Sequence, residues 1–330
     1  MEIVYQIEYI MSIITNIYNW KDIDVDKLAR FIKKAKYDSE NRLDLSFEEI
    51  KGIINQYFRQ DDIKYVTASI DKDLVGFLVI YPAGVESKEI NPGTTLGGNP
   101  IIISNEKNHL ICNKLINETI IWARNEGVKI LEIKIPRDIL NDKNIYKNYI
   151  LTYEKIGFKR KLEYVEMLCN IEDHTEHNIL LPENHDILYI NEFCEKEIYG
   201  CYYSSFKNGD ASFFQYQGEE EKLEYFRELG YPEYLNRDAS IALVHDKRLV
   251  GFSFVLPDVD NNHISCMCIH PNYQGLGFGK LILFIIKNKL KEQGIKTITL
   301  GTETKMRAFK LYNKYGFSIT NGFLIYRWER

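Results

Sequence analysis

The chain has 330 residues, 45% of them hydrophobic and 27% charged, with 20 Gly and 8 Pro. This balance excludes a collagen-like or wholly disordered chain and is enough for two buried cores. The formal net charge of −5, from 47 acidic and 42 basic residues, is a mild imbalance in which nothing suggests a nucleic-acid-binding protein.

The amino terminus, MEIVYQIEYIMSIITNIYNW, has no basic start and is interrupted by Glu2 and Glu8, so it does not read as a secretion signal. The longest notable apolar run, Leu281–Ile286, is six residues long. A membrane span needs about 20. No membrane or nucleic-acid partner is expected. The six cysteines, Cys112, Cys169, Cys194, Cys201, Cys266 and Cys268, are scattered. Such a long chain does not need disulfide staples, so a reducing cytoplasm is expected. Cys266 and Cys268 have half the spacing of a metal site, with no second pair or His at ligand distance. They read as buried thiols on one face of a strand, and no metal is expected.

One pattern occurs twice. Residues 71–82, DKDLVGFLVIYP, return at 246–257 as DKRLVGFSFVLP. The helical stretch from Cys112, CNKLINETIIWARNEGVK, returns from Gly279 as GKLILFIIKNKLKEQGIK, and YEKIGF at Tyr153 returns as YNKYGF at Tyr312. Three co-linear matches read as two copies of one domain. Each copy opens with a helical half rich in aromatic and charged residues. Each then has a hairpin turning at Asp71–Asp73 or Asp246–Arg248. A linker is expected at Glu172–His185, which gives domains 1–175 and 183–330.

In the second copy the spacing predicts a strand at His263–Ile269, a glycine loop, and a helix from Gly279 to Gln293 stopped by Gly294. A strand at Ile295–Leu300 and a helix at Lys305–Tyr315, ended by Gly316, follow. Two last strands, Phe317–Ile319 and Phe323–Trp328, are expected to be joined by a turn at Asn321-Gly322. Strands and helices alternate, so the fold class is mixed α/β (α+β).

The chemistry is concentrated in I-H-P-N-Y-Q-G-L-G-F-G-K, Ile269 to Lys280. A strand ends, three glycines follow at alternate positions, and a helix begins. A helix amino terminus offers unpaired N–H groups and partial positive charge. Glycines adopt positive φ and let a bulky anion approach. The product is a cradle for a diphosphate. The spacing G-x-G-x-G does not match the G-x-G-x-x-G of a dinucleotide fold. A Walker loop fails because Leu281 stands where Ser or Thr is needed.

Gln274, Gly277 and Gly279 fit [QR]-x-x-G-x-[GA], and the segment resembles the acetyl-CoA-binding motif of the GNAT acetyltransferase superfamily. Ala308, Leu311, Tyr312, Gly316 and Phe317 resemble that family's later helix. The strong part of the resemblance covers about 90 residues and extends to the first copy by repetition. It implies two tandem GNAT-like domains, each a mixed, mostly antiparallel, splayed sheet flanked by helices. It implies acetyl-CoA as the acyl donor, its pantetheine against the strand around Cys268 and Ile269. Gln274, Gly275, Leu276, Gly277, Phe278, Gly279 and Lys280 would hold its pyrophosphate. The implied activity is N-acetyl transfer to a small-molecule amine, with a protein or peptide amine, or a non-catalytic acyl-CoA sensor, as alternatives. The chain is expected to be a monomer or homodimer.

Acyl transfer to an alkyl amine must remove a proton held with a pKa near about 10.4, and the leaving thiolate departs more readily once protonated. By residue-to-residue match with the family, Tyr312 is expected to be the acid for the thiol. His263 lies eleven residues before Gln274, where histone-type members carry a glutamate. It is the candidate base, the alternative being a water chain. Lys305 departs from the family, which often has Asn there.

In the first copy Lys107, Asn108, Leu110 and Cys112 stand opposite Gln274, Gly275, Gly277 and Gly279. Every loop glycine is lost, while Tyr153 matches Tyr312. The first copy is therefore expected to be degenerate and non-catalytic. The arrangement is similar to tandem acetyltransferases of the mycothiol-synthase kind. Glu219–Glu221, ahead of the shared core, read as a solvated helix start in preference to a site for a cationic amine.

Overall fold

The computed structural model describes residues 9–35, 45–57, 63–82, 93–96, 100–102, 108–136, 145–172, 181–209, 211–230, 234–257 and 261–330. The chain forms two compact units. The first is Met1–Lys161 with Phe323–Arg330, and the second is Leu162–Gly322.

The first unit runs through β1 (Ile14–Asn19), α1 (Val25–Lys34), α2 (Phe47–Tyr57), β2 (Lys64–Ile70) and β3 (Asp73–Pro82). It continues with β4 (Gly93–Leu96), β5 (Ile101–Ile102), α3 (Asn108–Asn125), β6 (Ile130–Pro136) and α4 (Ile145–Ile156). α1 starts where the Asp24 carboxylate accepts the Lys27 N–H, which satisfies a donor that the helix itself cannot. β1, β2, β3 and β4 pair antiparallel in that order, and β4 pairs parallel with β6. Ile111, Leu115 and Ile116 of α3 lie against Val66, Leu78 and Ile133 on one side of the sheet. α1 and α2 cover the other side with Leu28, Phe31 and Ile54.

The second unit begins inside β7 (Lys159–Asn170) and continues with β8 (His185–Tyr189), α5 (Glu195–Phe206), α6 (Ser212–Tyr216), α7 (Glu219–Glu228) and β9 (Ile241–His245). β10 (Arg248–Leu256), β11 (Asn262–Ile269), α8 (Phe278–Glu292), β12 (Thr297–Glu303) and α9 (Arg307–Lys314) follow. Among the described residues the strand order is β8-β9-β10-β11-β12-β7, with β11 and β12 paired parallel and the other neighbours antiparallel. One side of the sheet packs on α8 and α9 through Leu281, Ile282, Ile286 and Tyr312. The other packs on α5, α6 and α7 through Ile198, Tyr202, Phe214 and Phe226. A mixed, mostly antiparallel sheet flanked by helices is the expected architecture.

Both hairpins turn alike. Asp71 and Lys72 have φ of 49° and 73°, and Asp246 and Lys247 have 47° and 64°. Two consecutive positive φ values define the tight turn whose twist matches that of its strands.

The unit boundaries differ from 1–175 and 183–330. β7, the strand before the linker, pairs with β12 of the second unit, Gly301 opposite Glu166 and Glu303 opposite Tyr164. The last strand, β13 (Ser318–Glu329), passes out of the second unit, and its residues Phe323–Glu329 pair with β6. Sequence repetition marks the copies, but backbone pairing decides the units, and the last strand of each copy is exchanged. Of the linker at Glu172–His185, residues 173–180 lie outside the described residues. The expected turn at Asn321-Gly322 does not form, because β13 runs through it unbroken. Gly322 serves another purpose. A Cβ there would overlap the Tyr164 carbonyl oxygen, so the glycine permits close approach of β7.

Candidate functional site

In the second unit β11 ends at Ile269 and a short 3-10 turn, Pro271–Tyr273, leads into the loop. The Gln274 amide nitrogen donates to the Ile269 carbonyl at 2.9 Å, tying the loop back to the strand end. Gly275 and Gly277 have φ of 80° and 88°, and no heavy atom lies within 4 Å of a Cβ built on either. Both glycines are needed for conformation, and they leave an open backbone face. Gly279 has a different reason. Its Cβ position lies 3.1 Å from a Leu311 methyl, so it lets α8 pack closely on α9.

The first backbone bond of α8 runs from the Leu281 N–H to the Gly277 carbonyl. The N–H groups of Phe278, Gly279 and Lys280 precede it without an acceptor inside the helix. Leu276 is exposed, and Phe278 is buried with its ring 4.9 Å from that of His185. The Lys280 ammonium lies over the rings of Phe284 and Tyr315, at 5.4 and 5.6 Å. Positive-φ glycines, an open face and free helix N–H groups fit a diphosphate.

The strand beside the loop is open. β11 and β12 pair only over Asn262–Ile264 and Ile298–Leu300, although both strands continue. Phe254 pairs with Cys266 and Val255 with Ile264, so Ser265 is an extra residue that bulges β11 where the pairing stops. The sheet therefore splays between Ser265–Ile269 and Gly301–Glu303. The His270 N–H donates to the Val250 carbonyl. By the alternation of an antiparallel ladder, Cys268 is then bonded to β10, while the backbone groups of Met267 and Ile269 face the opening. Of the two residues expected at the pantetheine, Ile269 has its backbone on the open edge and Cys268 has its backbone bonded to β10.

The thiols of Cys266 and Cys268 are buried, 3.8 Å apart. Burial, then its bond to Cys266, holds the Cys268 thiol well above its ordinary range. That thiol is neutral at working pH.

Tyr312, on α9, is 6% exposed, and its ring lies tilted at 59° to that of Phe317 with centroids 5.7 Å apart. Burial raises its phenol pKa, with Cys266, Cys268 and Tyr164 adding to the effect. It keeps its proton and lies within electrostatic reach of the splayed strand, as an acid for a leaving thiol must. His263 is the second residue of β11, two before the bulge, half-buried, with Nδ1 2.9 Å from the Thr299 hydroxyl. Ile264 and Leu300 belong to the core under α8 and α9, so His263 and Thr299 face the α5–α7 side.

That side holds residues that motif reasoning missed. Thr299, Gly301 and Glu303 share this face of β12, and across the pair stand Leu168, Glu166 and Tyr164 of β7. A Cβ on Gly301 would overlap the Tyr164 hydroxyl, so the phenol lies directly over the first β12 residue past the paired segment. Glu303 is buried. Its oxygens accept the Ser212 N–H at 2.7 Å and the Ser212 hydroxyl at 2.9 Å. Lys305, standing where the family often has Asn, pairs with Glu303 at 3.5 Å. Tyr225 of α7 has its pKa pushed up to about 12 by burial, with Tyr164, Cys266 and Glu303 among the lesser causes. The one available signal was the glycine in T-L-G-T-E, out of place at a strand end.

Glu219–Glu221 are the first turn of α7. Glu221 accepts the Gly218 N–H at 3.1 Å, and Glu219, largely exposed, pairs with Lys222. They build the helix start.

In the first unit the position of Gly279 is taken by Cys112, buried and hydrogen-bonded to the phenol of Tyr153, which is itself fully buried. Leu110 is half-buried on the same helix, and Lys107 lies outside the described residues.

The splayed sheet, the open glycine loop and the buried phenol together are the features of an acyltransferase domain. Residues 211–322 match the family model described as acetyltransferase (GNAT) domain. It is 35% identical over 82 residues to the [ribosomal protein bS18]-alanine N-acetyltransferase of Haemophilus influenzae, 25% of this chain and 56% of that protein. The chain thus spans little more than half of that relative's length. Its fold is similar to that of a GCN5-related N-acetyltransferase from Sphaerobacter thermophilus, with a TM-score of 0.58, 12% identity and 96% of each chain covered. It is also similar to a tandem GNAT protein from the clavulanic acid biosynthesis pathway, with a TM-score of 0.51, 12% identity and 96% and 98% covered. Among the described residues no helix is long and apolar enough to cross a membrane.

Proposed function

We propose that the protein is an acetyl-CoA-dependent N-acetyltransferase that moves the acetyl group to a primary amine of a small metabolite by direct attack. The observation that carries this reading is the conjunction, in one unit, of the Gln274–Lys280 loop with the splay beside Ile269. Acetyl-CoA supplies the activated thioester when bound. The N–H groups of Gly277–Lys280 receive its pyrophosphate, and the open edge of Met267 and Ile269 pairs with the pantetheine arm. Tyr312 gives its proton to the leaving thiolate, and a group on the α5–α7 face takes one from the amine. His263 is our candidate for that base. The tandem arrangement, with a non-catalytic first copy, belongs to the same reading.

A thiol-release assay with acetyl-CoA over amines, amino acids, polyamines and aminoglycosides tests it. Turnover with at least one small amine is expected, and acetyl-CoA binding without thiol release would leave a sensor. The similarity to a ribosomal-protein alanine N-acetyltransferase supports a second reading, transfer to a protein amino terminus. Turnover with alanyl peptides and none with small amines would favour it.

A further inference from the structure

The residues that resemble the family's motifs all lie between Ile269 and Phe317, in the second copy. The opening they flank is not built from the second copy alone. β7 precedes the linker, yet it completes the sheet of the second unit beside β12. It carries Tyr164 to the point where β11 and β12 part. The ring reaches across Gly301, and a side chain at Gly301 would occupy the place of its hydroxyl.

The surroundings suit an amine. Tyr164 stands opposite Glu303, a carboxylate fixed in place by two bonds from Ser212. The phenols of Tyr312 and Tyr225 are within electrostatic reach of Tyr164. A neutral phenol oxygen accepts an N–H bond while its own proton is donated elsewhere. The Glu303 charge is already paired with Lys305 at 3.5 Å, so the contact left for an arriving ammonium is the phenol oxygen.

We infer that Tyr164 seats the acceptor amine of the second unit, so that a strand from the first copy contributes a substrate-contacting side chain to the transferase site. This rests on the amine-acetyltransfer reading above and adds the residue that holds the acceptor. Tyr164 acts on acceptor binding and orientation, and the donor side of the site does not involve it.

The test is steady-state kinetics of the full chain with acetyl-CoA and four acceptors: spermidine, glucosamine, lysine and an alanyl hexapeptide. Tyr164→Phe keeps the ring and removes only the hydroxyl. It is expected to lower kcat/KM for the accepted amine about ten- to a hundredfold, the loss of one hydrogen bond to a charged group. The acetyl-CoA dissociation constant and the melting temperature should stay at wild-type values. Gly301→Ala, which displaces the ring, should reproduce the acceptor defect. Unchanged acceptor kinetics in Tyr164→Phe, with an active wild type, overturn this assignment alone and leave a packing role. An equal loss of acetyl-CoA affinity overturns it by placing Tyr164 on the donor side. If the wild type releases no thiol with any of the four, the amine-acetyltransfer reading falls, and this inference falls with it.

Discussion

The two units answer the same structural problem with different residues at one point. In the second, Gly279 lets α8 approach Leu311, and Gly275 and Gly277 keep an open backbone face ahead of the helix. In the first, Cys112 stands at the helix position of Gly279 and bonds to Tyr153, the counterpart of Tyr312. A thiol bonded to the phenol is a finished core contact. The phenol of Tyr312 is buried beside a splayed strand instead. On the proposed function, one copy keeps the aromatic residue as a core contact and the other uses it at a site. The loop, more than the tyrosine, separates a site from a core.

The strongest challenge to this comparison is to separate the copies. A chain of residues 183–330 lacks β7, so β12 loses its antiparallel partner and exposes Ile298 and Leu300 near the gap. We expect no cooperative thermal unfolding by circular dichroism. A sharp transition like that of the full chain would show that the strand exchange is dispensable.

The next test swaps the roles of the tyrosines. Tyr312→Phe should lower kcat by about a hundredfold or more, the size of a general-acid contribution, with acetyl-CoA affinity kept. Tyr153→Phe should leave kcat unchanged and cost about 1 kcal/mol of stability, because it leaves the buried Cys112 thiol without its partner. Stopped-flow thiol release and urea denaturation measure the two effects. A kcat loss in Tyr153→Phe would break the comparison.

A smaller effect comes from transplanting the difference. Gly279→Cys places the first unit's residue against Leu311. About a tenfold loss of acetyl-CoA affinity is expected, read by calorimetry. The cause is displacement of the α8 start by overpacking, which costs about 1–3 kcal/mol.

The smallest effect at neutral pH is shared by both units. Burial raises the pKa values of Cys112, Tyr153, Cys268 and Tyr312 above their ordinary 9.0 and 10.0. The folded chain keeps protons that the unfolded chain loses. Their contribution is therefore fully present below the unfolded values and is lost as pH rises past them. Denaturation midpoints should agree at pH 7 and 8 and fall above about pH 10. A midpoint that rises there would contradict the burial of these groups.

The local chemistry of the loop was legible because it depends on residues close in the chain. Three glycines between a strand and a helix announce positive φ and free N–H groups, and Gly275 and Gly277 have them. The hairpins at Asp71 and Asp246 were legible for the same reason. The strand exchange was not, because pairing across more than 130 residues leaves no local pattern, as between Tyr164 and Glu303. Asn321-Gly322 reads as a turn until β7 is seen to need its close approach. Tyr164 and Glu303 escaped because neither belongs to a motif. Only the placement of β7 beside β12 makes them neighbours.

The central claim is that one loop, in one unit, binds the acyl donor. Isothermal titration of the full chain with acetyl-CoA tests it most directly. The account predicts one molecule bound per chain, and none in Gly277→Val, where a β-branched side chain opposes the φ of 88°. Two molecules per chain, or undiminished binding in Gly277→Val, would contradict it.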